Sequence, residues 1–98
     1  MLVRVDIPIA DQIVQVGHVC LEAGRRYMGS GATPNLVLLG VACERQLLDA
    51  LGRLDARGIG YAVFHEPDDQ MGYTAACTEP LSAERGAEFR RMRLWKEK

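Results

Sequence analysis

Asn35-Leu36-Val37-Leu38-Leu39-Gly40-Val41-Ala42 is the stretch on which the fold turns. It carries no charge and no alternation of apolar with polar residues. Such a run predicts a central strand covered on both faces, with helices above and below its sheet. The flanks agree. Before it, residues 10–28 repeat apolar side chains at helical spacing: Ile13, Val16, Cys20, Ala23 and Tyr27 form one stripe. Asp11, Gln15, His18, Glu22 and Arg25 form a second, polar stripe. Asp11 in the first turn and Arg25 and Arg26 in the last suit the helix dipole. Gly29-Ser30-Gly31 breaks this helix. After the central run, Leu47, Leu48, Leu51 and Leu54 define a second amphipathic helix over residues 44–57, with Gly58 as its stop.

Further outward, residues 2–7 alternate, with Val3, Val5 and Ile7 on one side and Leu2, Arg4 and Asp6 on the other. This predicts a strand with one buried face, ended by Pro8. Residues 60–65 read as a third strand and 73–78 as a fourth, joined by turn chemistry from Glu66 to Gly72. Ser82 to Lys98 is charged; a short helix near 82–91 is expected, with Leu94 and Trp95 packing back on the body. The two strand–helix–strand crossovers imply parallel pairings, and the short link at 66–72 implies an antiparallel hairpin. The expected fold is α/β: one domain over 1–98, a four-stranded mixed sheet flanked by helices in a three-layer-like arrangement, in the order β-α-β-α-β-β-α.

The 98 residues are 48% apolar and 26% charged, which excludes a disordered or fibrous chain. The net charge of -1 gives no global basic field of the kind that marks broad nucleic-acid affinity. A core this small is marginal alone, so a homodimer is expected. Nothing reads as a signal peptide or a membrane span, and no membrane partner is expected. Cys20, Cys43 and Cys77 are odd in number and form no C-x-x-C pair, so they read as reduced thiols in a cytoplasmic protein. No spacing points to a metal or an organic cofactor, and none is expected.

Gln15-Val16-Gly17-His18, after a strand ending in Asp6-Ile7, resembles the Q-x-x-H start of type II peptidyl-tRNA hydrolases. Pro34-Asn35-Leu36-Val37-Leu38 opens a strand where that family has its buried second strand. The segment from Gly60 to Pro80 resembles the family's acidic loop, T-x-x-A strand and closing proline, through Phe64-His65-Glu66-Pro67-Asp68 and Thr74-Ala75-Ala76-Cys77-Thr78-Glu79-Pro80. Element order agrees along nearly the whole chain. The resemblance implies the fold, hydrolysis of the ester joining a peptide to tRNA, and the tRNA 3′ end as partner. Two places depart from it. The family's K-G-K stretch is Ile9-Ala10-Asp11 here, so its catalytic lysine falls on Asp11. Its D-A-G-x-T becomes Glu66-Pro67-Asp68-Asp69-Gln70, so its threonine falls on Gln70.

Ester hydrolysis needs an activated water, donors for the developing oxyanion and contacts for the leaving tRNA. The candidate catalytic residues are His18, Gln15, Glu66 and Asp68. An imidazole titrates near about 6.5 when unperturbed, which suits a general base at neutral pH. Gln15 lies one turn from His18 and can point at the same cleft. Glu66 and Asp68 stand where the third strand ends, a usual place for ligands in α/β sheets, and either could orient water or His18. Thr74 and Thr78, on one face of the fourth strand, are candidate substrate donors. Arg25 and Arg26, with the basic residues of 84–98, are candidates for phosphate contacts. Each residue also has a purely structural reading: a surface histidine, a solvated acidic turn, β-forming threonines and an ordinary charged surface. Two rival functions follow, a catalytically degenerate member that binds tRNA, a nucleotide or a small ligand, and a protein that docks a partner through a sheet or helix face.

Overall fold

The computed structural model describes residues 1–29, 31 and 34–96. Ser30 of the glycine-rich break and Lys98 of the basic tail lie outside the described residues. The elements run β1 (Leu2–Arg4), α1 (Ile9–Tyr27), β2 (Leu39–Val41), α2 (Glu44–Ala56), β3 (Tyr61–Glu66) and β4 (Gly72–Thr78), with 3-10 turns at Asp68–Gln70 and Arg85–Phe89. The sheet is four-stranded and mixed, in the order β2-β1-β4-β3. Class and strand number are those expected from the sequence, and element order agrees except at the end, where the short helix expected near 82–91 is only the 3-10 turn Arg85–Phe89. The strand order is not the expected one. β1 pairs with β2 in parallel and with β4 antiparallel, and β3 pairs antiparallel with β4. Only the first crossover therefore joins neighbouring parallel strands. β4 inserts between β1 and β3, and the uncharged run ends as a three-residue edge strand instead of a central one.

The C-terminal segment protects that edge. Gly40 N–H donates to Arg93 O at 3.0 Å and Trp95 N–H to Leu38 O at 2.9 Å, so residues 93–95 lie antiparallel along β2 through an isolated bridge of Leu94 to Leu39. An edge covered in this way presents no free ladder to a second chain. Trp95 packs on the body as expected, whereas Leu94 stays 63% exposed.

β1 is buried on both faces, not one. Leu2 joins Leu39, Val41, Leu47, Leu51, Leu54 and Ile59 under α2, while Val3 joins Val19, Ala23, Ala62 and Ala75 under α1. The sheet is thus the middle of three layers. Alanines at Ala62, Ala75 and Ala76 let both helices approach it closely, as layer packing at interior density requires. The α2 stripe is Leu47, Ala50, Leu51 and Leu54; Leu48 is 42% exposed. Gly58, at φ +67°, ends α2 in the left-handed conformation that glycine adopts without cost.

The stripe of α1 differs more. Its buried residues are Gln12, Gln15, Val19 and Ala23, and Ile13 is 64% exposed. Two glutamines can be buried because both are fully engaged. Gln12 Nε2 donates to Ile7 O at 2.7 Å, and its Oε1 accepts from Trp95 Nε1 at 2.6 Å. The C-terminal tryptophan, the β1–α1 link and the first turn of α1 are therefore one hydrogen-bonded unit.

Candidate functional site

Gln15 is the centre of the site. It is 3% exposed and bonded at both ends of its amide. Nε2 donates to Glu66 Oε2 at 3.1 Å, and Oε1 accepts from Thr74 Oγ1 at 2.9 Å. Helix α1 thus holds the end of β3 and the start of β4 through one side chain. Thr74 reaches Gln15 because β4 bulges there. Phe64 pairs with Ala75 and His65 with Tyr73, leaving Thr74 as the extra residue between them. A bulge re-aims the side chain it carries, and this one turns Thr74 onto the α1 face. Thr78 lies four residues on, about 13 Å along the strand, opposite Tyr61, which packs on the α2 side. The two threonines expected on one face are therefore apart, and only Thr74 belongs to the site.

His18, one turn beyond Gln15, is exposed and stacks on Phe64 with ring centroids 4.5 Å apart and planes 5° from parallel. The pair borders an open cleft of about 350 Å³ lined also by Leu21, Glu22, Arg25, Arg26 and Val63. Both arginines are tied to Glu22, at 2.7 Å from Arg25 and 3.0 Å from Arg26. Exposed pairs like these hold a side chain loosely and leave it available to a stronger anion. Gln15, Glu66 and Thr74 thus meet where the middle of α1 crosses the end of β3, with His18 one turn on, stacked on Phe64, and Arg25 and Arg26 two turns farther along. Asp68 takes part through its backbone, whose N–H donates to Glu66 Oε1 at 3.2 Å. The arginines do not merge with the C-terminal cations. Arg91, Arg93 and Lys96 line a different cleft, with α2 and β2, at the opposite edge of the sheet.

Phe64 is the site residue that sequence reasoning missed. The signal was present, since Phe64 and Glu66 share a strand face by alternation and Glu66 was a candidate.

The hairpin tip is braced from outside the site. Arg4 forms a two-pronged ion pair with Asp6 and donates to the carbonyls of Met71 and Tyr73. Glu44 Oε2, at the start of α2, accepts from Tyr73 N–H at 2.8 Å. Gly72 has φ +76°, and a Cβ there would run into the Glu44 carboxylate, so this position takes glycine for both reasons.

The Glu66 carboxyl is held below the ordinary carboxylate range, first by the hydrogen bond from Gln15, then by the Asp68 N–H and the charges of His18 and His65, against partial burial. The native state therefore binds this proton less readily than the unfolded chain. The resulting stabilisation is present above the unfolded value of about 4.3 and is lost as pH falls through the lower native value. Unfolding free energy measured by denaturant titration between about pH 5 and about pH 3 is expected to fall more steeply for the wild type than for Glu66→Gln.

No helix among the described residues is long and apolar enough to cross a membrane. A scan against protein-family models matches none, and a search of curated proteins returns no relative.

Proposed function

We propose that the cleft between α1 and β3 hydrolyses the ester of a peptidyl- or aminoacyl-tRNA, in the manner of the type II peptidyl-tRNA hydrolases that the chain resembles. The observation that carries the reading is the Thr74–Gln15–Glu66 relay with His18 one turn away at the rim of the cleft. Thr74 fixes which end of the Gln15 amide faces Glu66. Gln15 and the Asp68 N–H then fix the Glu66 carboxylate as an anion. His18 is among the neighbours that hold the Glu66 carboxyl low. His18 takes the proton from the attacking water, and Glu66 stabilises the imidazolium until the proton passes to the leaving ribose oxygen. A His–carboxylate set would stand in for the lysine that is Asp11 here. Arg25 and Arg26 hold phosphates of the tRNA 3′ end. The cytoplasm is where such a substrate occurs, and the protein acts as a homodimer.

With N-blocked aminoacyl-tRNA as substrate, His18→Ala is expected to lower kcat about 100-fold with little change in KM. Arg25→Ala with Arg26→Ala is expected to raise KM and leave kcat nearly unchanged. Unchanged kcat in His18→Ala overturns the assignment of the base. The carboxylate at Asp11, where the resembled family carries lysine, favours a second reading, that the cleft holds the tRNA end without turnover. Binding of the substrate without release of the amino acid assigns that one.

A further inference from the structure

Three sulfur-bearing residues from distant parts of the chain meet between α1 and the sheet. Cys20 Sγ, on α1, donates to Met1 Sδ at 2.9 Å. Cys77, near the end of β4, lies on the same side of the sheet, packed against the cluster of Val3, Val19, Ala23 and Ala75. The β1–β4 register pairs Leu2 with Ala76 and Val3 with Ala75, and one residue further on it sets Met1 opposite Cys77. Cys20 reaches the Cys77 thiol as well. Burial pushes that thiol up, and the charge of Cys20 and a hydrogen bond with it push the same way, against the N-terminal ammonium.

Met1 is held in place by its backbone. Its ammonium donates to Val37 O at 2.8 Å, and its carbonyl accepts from Leu39 N–H at 2.8 Å. The thioether is therefore positioned beside the thiols before any ligand arrives. All three residues are half-buried, so the sulfurs are shielded but still open to an ion from solvent.

The donor set selects the ion. Two thiols and a thioether are soft ligands, which favour Cu(I) over Mg²⁺ and Ca²⁺, ions that take oxygen. A structural Zn²⁺ takes four nitrogen, sulfur or carboxylate ligands. Among the described residues no group of three or more His, Cys, Asp and Glu is gathered to supply them. Cu(I) accepts low coordination by sulfur alone.

We propose that Met1, Cys20 and Cys77 form a binding site for one Cu(I) ion, with the two thiolates and the Met1 thioether as its ligands. Binding releases the proton of each thiol to solvent and changes no oxidation state. The ion ties α1, β4 and the residue before β1 to one another, so binding also stabilises the fold. The described residues lining the cleft beside His18 include none of the three, and the inference does not rest on the ester-hydrolase reading. Met1, Cys20 and Cys77 stand far apart in the chain, so no spacing in the sequence announces the site.

Anaerobic titration of the reduced full chain with Cu(I), in competition with the chromophoric chelator bicinchoninate, tests it. The wild type is expected to withdraw one equivalent from the chelator. Cys20→Ser and Cys77→Ser, each checked for folding by circular dichroism, are expected to weaken binding at least about 100-fold, since groups that merely orient a metal ligand are already worth about 10–100-fold. Cys43→Ser, at the start of α2, should bind as the wild type does. Methionine labelled with ¹³C at its methyl group gives a second readout on the wild type alone, decisive even where a serine variant fails to fold. The Met1 methyl signal is expected to move on saturation with Cu(I), and those of Met28, Met71 and Met92 to stay. A wild type that leaves all Cu(I) with the chelator overturns the proposal. Equal affinity in the wild type and the folded Cys20→Ser and Cys77→Ser variants, or loss of binding in Cys43→Ser, does the same. A Met1 methyl signal indifferent to Cu(I) overturns the three-sulfur site.

Discussion

Gln15→Glu is expected to destabilise the protein by about 3 kcal/mol at neutral pH and to invert its acid response. The substitution is nearly isosteric, so packing under α1 is kept. It replaces the donor to Glu66 with a second carboxylate at a position that is 3% exposed. Two carboxylates at this distance share a proton, and the pair takes it up more readily folded than unfolded. Its native affinity for a proton is raised, so the variant gains stability as pH falls through that raised value, whereas the wild type changes only below about 4.3 and there loses stability. Denaturant midpoints measured from about pH 8 to about pH 4 should therefore converge for the two proteins. Parallel curves would mean that Gln15 does not bridge the helix to Glu66. Ester turnover should be lost with the same variant, because Thr74 and Glu66 lose the amide that orients them.

The second large effect lies under the other helix. Leu54 is fully buried, against Leu2, Leu47, Leu51 and Ile59. Leu54→Ala removes three carbons from a site closed by α2, β1 and β4, where little can collapse into the gap. A loss of about 3 kcal/mol is expected, which in a domain of this size lowers Tm by about 15 °C. Leu48→Ala, one turn and a half earlier on the exposed side of the same helix, should change Tm by little. Equal losses at the two positions would mean that α2 presents a different face to the sheet.

The elements were legible because their signals are local. Helical periodicity marks α1 and α2, Gly58 marks the end of α2, and the acidic turn between two β-rich runs marks the hairpin. Strand order is not a local property. An uncharged run such as 35–42 reads the same whether its edge is covered by another central strand or by residues 93–95, which arrive from the far end of the chain. The polar stripe of α1 misled for a related reason. Gln15 and Gln12 are hydrophilic in isolation, and they are buried because Glu66, Thr74 and Trp95 supply partners 51, 59 and 83 residues away. Ile13 is displaced to solvent by the same rotation. The separation of Thr74 from Thr78 came from the bulge at Thr74, which alternation alone does not disclose. The candidates His18, Gln15 and Glu66 were legible through the family-like motifs, and the packing of α1 on β3 is what brings them to one place.

The central claim, that the Gln15–Glu66 relay and His18 form an ester-hydrolysing site, is tested most directly with N-blocked aminoacyl-tRNA. Release of the amino-acid moiety is followed with purified wild type and with the His18→Ala, Glu66→Gln double variant, both shown to be folded in the same preparation. The account predicts turnover by the wild type and a loss of at least about 100-fold in the double variant. Equal release by the two proteins, or none from folded wild type, would contradict it.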